Sequence, residues 1–218
     1  MPNHVQNILV VVGPKPHLKG MLDHIKGERE VIAFGKIFPM PEELQGTRSP
    51  AKIVTEAEYK KIQYDKNFSA EPNRFFADKG AITKKMQKDW IDRFGADNWY
   101  DWTCNNWGTK WGAYDSELEI AELPDRDGYD MAVIRFQTAW SSGVYGIEAL
   151  AGQYTTLEFY LKYADEDSGY NTGKIWWENG TRLNTEMPDY SMENYFECWG
   201  GEEDWECVDG NWNWKDEE

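Results

Sequence analysis

The chain is 218 residues long and carries 39 Asp/Glu against 23 Lys/Arg, a formal net charge of −16, with 40% hydrophobic residues and 12 Trp. That length fits one domain with insertions, or one and a half domains, with apolar content enough for a core. The charge works against direct binding to nucleic acid or an anionic membrane, and no apolar run approaches the length that spans a bilayer.

Val5 to Val12 is a β-branched run stopped by Gly13-Pro14, and it predicts a strand. Leu18, Leu22 and Ile25 follow at helical spacing, with Gly27 as the terminus. Glu30 to Phe34 reads as a second short strand, after which Phe38-Pro39-Met40-Pro41 breaks regular structure. Residues 45–78 are polar and weakly patterned, with a short helix expected at Thr55–Ile62. Ile82, Met86, Trp90 and Phe94 recur every four residues, with Ile91 alongside. A helix is therefore expected over Ala81–Phe94, capped by Asp78 and ended by Gly95. The stretch from about 45 to 98 reads as a helical insertion.

After Trp111 the period changes to two. Leu118 and Ile120 alternate with Glu117 and Glu119 as in a half-exposed strand, and Asp125–Gly128 is a turn. Met131–Phe136 reads as a strand, Val144–Ala151 as a helix ending at Gly152, and Thr155–Tyr163 as an alternating strand. Asp165–Gly173 is a loop and Lys174–Trp177 a further strand. The order β-α-β, insertion, β-β-α-β fits an α+β fold: a ferredoxin-like antiparallel sheet with helices on one face and extra strands at one edge. Residues 1–185 then form the ferredoxin-like domain, and 186–218 an acidic, Trp-rich C-terminal extension. Asn67-Phe68-Ser69 and Asn179-Gly180-Thr181 match glycosylation sequons, which have no consequence in a bacterial-type cytosol.

Several segments, taken in order, resemble the YubB-type ferredoxin-like family of plasmid, phage and genomic-island proteins. They are Met1 to Asn7, Pro39 to Leu44, Asn106 to Asp115, Phe136 to Ser141 and Tyr163 to Gly173. The resemblance implies a ferredoxin-like fold, a cytoplasmic location in a bacterial host and carriage by a mobile element, and it supplies no activity. Ser142-Gly143 departs from the proline-containing continuation expected after Trp140-Ser141.

The charge is unevenly spread. Residues 1–110 hold 17 Lys/Arg and 14 Asp/Glu, whereas 111–218 hold 6 and 25, so a net of +3 faces a net of −19. In the last stretch, acids and indoles interleave. Trp199, Glu202, Glu203, Asp204, Trp205 and Glu206 are the expected partner-binding residues, because carboxylates attract a basic surface and indoles anchor it. Rows of carboxylates could imitate the phosphates of DNA or plug a basic channel, through charge-assisted hydrogen bonds to Arg. The expected function is that of an acidic inhibitor or nucleic-acid-mimicking decoy, bound to a basic surface of a host nucleic-acid-binding or defence complex.

The alternative is a small-ligand-binding protein or enzyme built around Asn106, Trp107, Lys110, Trp111, Tyr114, Asp115 and Trp140. There, Gly108 and Gly112 would serve either a concave site or tight turns over buried indoles. No metal or cofactor is expected: Cys104, Cys198 and Cys207 form no Cys-x-x-Cys pair, and His4, His17 and His24 all lie near the N-terminus. The odd cysteine count fits reduced thiols. Asp165, Glu166, Asp167 and Asn171 come nearest to a cation loop, but Gly169 sits one place early for a calcium loop and no closing Glu follows. Glu148 and Glu158 lack the context of a paired-carboxylate site. Phe136, Phe159, Tyr160, Trp176 and Trp177 would suit a nucleic-acid-binding sheet, but the surrounding charge has the wrong sign. Lys84, Lys85 and Lys88 share their helix with Asp89 and Asp92 and read as a solvated face.

Overall fold

The computed structural model describes residues 3–68 and 80–215. The chain divides into two compact units, one made of Met1–Phe38 and Trp107–Glu218, the other of Pro39–Asn106. From the N-terminus, β1 (His4–Pro14) leads into α1 (Lys15–Ile25) and the one-turn α2 (Phe34–Ile37). The second unit then holds β2 (Lys52–Val54), α3 (Glu56–Phe68), β3 (Ala81–Thr83), α4 (Lys84–Phe94) and α5 (Trp99–Asn106). The first unit resumes with β4 (Tyr114–Glu122), β5 (Tyr129–Ala139), α6 (Val144–Gln153) and β6 (Glu158–Asp165). It ends with β7 (Thr172–Glu178), β8 (Thr181–Glu186), α7 (Met192–Trp199) and the hairpin of β9 (Trp205–Val208) and β10 (Asn211–Trp214).

The main sheet has six antiparallel strands in the order β4-β5-β1-β6-β7-β8. Its first four strands with α1 and α6 make the ferredoxin-like arrangement expected from the sequence. β7 and β8 extend the sheet beyond β6. Side chains alternate between its faces. Val5, Leu9 and Val11 are fully buried on one face, where Leu9 stands between Ile134 and Leu161 in the register. Leu18, Met21 and Ile25 of α1 and Ile147, Leu150 and Ala151 of α6 are buried with this layer. Phe34 is fully buried, edge-on to Phe136 at 6.0 Å between ring centres. A Cβ on Gly143 would come within 2.2 Å of the Phe34 ring, so the ring leaves no room for a larger residue in the Ser142-Gly143 loop.

Two expectations are corrected here. Glu30–Phe34 is not a strand: residues 30–33 are irregular and Phe34 opens α2. The apolar run has no period of its own, and Ile32 and Phe34 are spent as core plugs. The place beside β5 goes to β4 instead. The second concerns the segment after residue 186, which holds a helix of its own: α7 binds side chains on the sheet face opposite α1 and α6, where Asn194 meets Thr172 and Glu197 meets Lys162 and Lys174.

In the second unit, β2 and β3 pair in parallel, and a capping box at Thr55 and Glu58 starts α3. Thr83 caps α4 by accepting from the Met86 N–H at 3.2 Å, because Ala81–Thr83 is committed to the strand pair. The expected cap, Asp78, lies outside the described residues. Gly95 ends α4 at φ +75°, as its position implied. Among the described residues, no helix is long and apolar enough to cross a membrane.

Candidate functional site

Ser191 caps α7 by accepting from the Asn194 N–H at 3.1 Å. Glu197 reaches back to Lys174 at 2.9 Å and Lys162 at 3.3 Å. Burial works to raise the Glu197 carboxyl, but the two ammonium groups outweigh it and hold the carboxyl below its ordinary value. Burial pushes the neighbouring Cys198 thiol up to about 12. Trp199 donates its indole N–H to the carbonyls of Ala164 and Asp165 at 3.0 and 3.1 Å. The helix is thus fastened to the sheet by charge at one point and by an indole at another.

Gly200 and Gly201, at φ +74° and +77°, then reverse the chain into the turn Glu202–Asp204. β9 and β10 close through Asp209-Gly210, both at positive φ (51° and 81°), as a two-residue hairpin turn demands. Trp212 packs on Phe196 at 5.0 Å, and Trp205 packs on Trp214 at 5.3 Å. The Lys215 N–H binds the Asp204 carbonyl at 2.9 Å, and its ammonium binds the Glu203 carbonyl. On this small aromatic support, Glu202, Glu203, Asp204 and Glu206 are exposed. Among the described residues none of these four carboxylates enters an ion pair, unlike Glu197, Glu148 and Glu158.

The six expected partner-binding residues therefore share one region with different roles. The four acids face solvent. Trp199 is a half-buried fastener, and Trp205 is half-buried in the indole cluster. The most open indole there is Trp214, 59% exposed, which the sequence reading did not single out. Its signal was the alternation Asn211-Trp212-Asn213-Trp214 after an Asp-Gly turn.

The residues of the alternative pocket make the following contacts. Asn106 ends α5 and donates to the Trp102 carbonyl at 2.8 Å. Trp107 is 7% exposed, packs on Phe34 and donates to the Phe38 carbonyl at 2.8 Å. Lys110 lies over both Trp111 and Trp140, at 4.7 and 4.2 Å from the ring centres. The Tyr114 hydroxyl lies 2.8 Å from His4 Nδ1 and donates to the Thr138 carbonyl, and burial raises it to about 12. Asp115 is exposed at φ +48°.

The loop after β6 is held by its own side chains. Asp165, 4% exposed, accepts from Asn3 Nδ2 at 3.0 Å, the Asp167 N–H at 2.9 Å and Asn171 Nδ2 at 3.1 Å. Those bonds tie the Asp165 carboxylate to the loop itself. Among the described residues, no group of three acid, His or Cys side chains could hold a metal ion. Phe136, Phe159 and Trp177 are buried under the helices, so only Tyr160 and Trp176 of the five sheet aromatics lie on the other face. Those two rings stack at 4.8 Å. With Val10, Val12, Leu183, Glu158 and Glu178 they line a shallow concavity of about 180 Å³.

A family model described as "Ferredoxin-like domain in Api92-like protein" matches residues 107–209. That span holds β4 to β8, α6, α7 and β9, and leaves out β1 and α1. A crystal structure of protein api92 from Yersinia pseudotuberculosis matches with a TM-score of 0.44 and 9% identity, covering 88% of this chain and 99% of that one. No curated protein matches the sequence.

Proposed function

We propose that this chain is an interaction protein whose C-terminal segment docks on a basic protein surface. One observation carries the reading. Four carboxylates within five residues stand in solvent, unpaired among the described residues, on a support ordered by Phe196, Trp205, Trp212 and Trp214. Placing like charges together costs free energy in the free protein, and a cationic partner relieves that cost. Trp214 and Trp205 beside the acids supply the apolar contact that turns attraction into binding.

The partner that fits such a surface is a nucleic-acid-binding protein with a groove of Arg and Lys, and the chain acts there as an inhibitor or decoy. The resemblance to proteins of plasmids, phages and genomic islands makes a host defence complex the natural target, and the bacterial cytosol the place of action. A pull-down from a bacterial host extract, with duplex DNA added as competitor, tests this. DNA should displace the chain from its partner, and E202K/E203K/D204K/E206K should capture nothing. A partner retained by that variant, or indifferent to DNA, contradicts the reading.

A further inference from the structure

β4 is the outer strand at one edge of the sheet. An irregularity in its pairing with β5 lies between Tyr114 and Glu117, and from Glu117 to Glu122 the register is unbroken. The side chain of Glu30 takes the Ser116 N–H at 3.0 Å. Beyond that point, the outward N–H and C=O groups of residues 117–122 have no partner among the described residues. Alternate residues of an antiparallel edge strand turn these groups to solvent, where they form a template for another strand.

The side chains say which strand fits. Glu117 and Glu119 share one face of β4 and are exposed. Leu118 and Ile120 share the other, at 39% and 54% exposure. In the antiparallel pairings centred on Glu117, Leu118 or Glu119, a second copy of β4 would set one of these carboxylates against another. Like charges opposite one another oppose a strand pair. Nucleic acid is repelled by the same acids. An extended chain in which Lys or Arg alternates with apolar residues satisfies both faces at once and pairs the free backbone.

We propose that β4 is a docking edge for such an extended, basic-and-apolar segment of another protein, which would add a seventh strand to the sheet. This goes beyond the docking role of the acidic segment and does not depend on it. The probe is a blocked seven-residue peptide of alternating Val and Lys, titrated against the full chain by fluorescence anisotropy and hydrogen exchange. Exchange protection should appear at residues 117–122, whatever the peptide does at the acids of the C-terminal segment. E117K/E119K should weaken binding by at least about tenfold, as loss and reversal of two cross-strand pairs implies. The milder E117Q/E119Q and L118S/I120S should each weaken it with the circular dichroism unchanged. E202K/E203K/D204K/E206K should keep the peptide-induced exchange protection at residues 117–122, which separates this edge from the C-terminal segment. The proposal is overturned if a matched peptide of alternating Val and Glu binds equally, if no protection appears at residues 117–122, if E117K/E119K binds undiminished, or if the free protein already dimerises with β4 protected.

Discussion

Two regions of the first unit are rich in tryptophan, and they use it in opposite ways. Around residues 107–140, Trp107 enters the core against Phe34, and its N–H is taken by the Phe38 carbonyl. Around 199–214, Trp199 is fastened to β6, but the indoles after it find little sheet to enter. Phe196, Trp205, Trp212 and Trp214 pack mainly on one another and stay half-buried or exposed, while every nearby acid of the turn Glu202–Asp204 faces out. An indole's role is therefore set by what its backbone places beneath it. Trp107 is spent on stability, whereas Trp111 and Trp140 stay exposed under Lys110, and Trp205, Trp212 and Trp214 hold a charged surface in shape.

The contrast can be broken at several points. Trp107→Ala should cost about 3–5 kcal/mol, as for a buried aromatic elsewhere, measured by urea denaturation. A cost under about 1 kcal/mol would place this ring outside the core. Phe196→Ala should cost less, about 1–2 kcal/mol, because its cluster is only half-buried. Its distinguishing mark would be faster hydrogen exchange confined to 205–214, together with faster alkylation of Cys198, whose buried thiol otherwise resists reagents that reach the exposed Cys207.

Acid should act next. Glu197 is held below its ordinary 4.5, so its contribution is present above that value and is lost as pH falls through the lower folded value. Exchange in residues 192–199 should rise in that window, and Glu197→Gln should remove the pH dependence. The smallest effect on stability is expected for E202K/E203K/D204K/E206K, within about 0.5 kcal/mol of the unaltered chain, since these side chains touch little.

Much of the sheet was legible from residue type: Val5 to Val12 is a β-branched run, Met131 to Phe136 is mostly apolar, and Leu157, Phe159 and Leu161 alternate, although β6 opens only at Glu158. The apolar run Val31 to Phe34 misled because a run without a period fits a strand and a core plug equally. β8 and the β9–β10 hairpin were missed although their turns were in view. Asn179-Gly180 and Asp209-Gly210 take the positive φ values of two-residue hairpins (52° and 74°, 51° and 81°).

For the candidate site, the cluster of exposed acids was visible in the sequence, but which indole stays open was not. Trp176 and Trp177 show why: neighbours in the chain, they face opposite sides of β7, and one is 1% exposed while the other stacks on Tyr160 on the opposite face. Register decides that, and register is a property of the partner strands.

The salt dependence of binding tests the central claim most directly. The affinity of the captured partner for the full chain should fall steeply between about 0.05 and 0.5 M salt, as screening shortens the reach of exposed carboxylates. An affinity that holds steady across that range would mean that Glu202, Glu203, Asp204 and Glu206 are not what the partner reads.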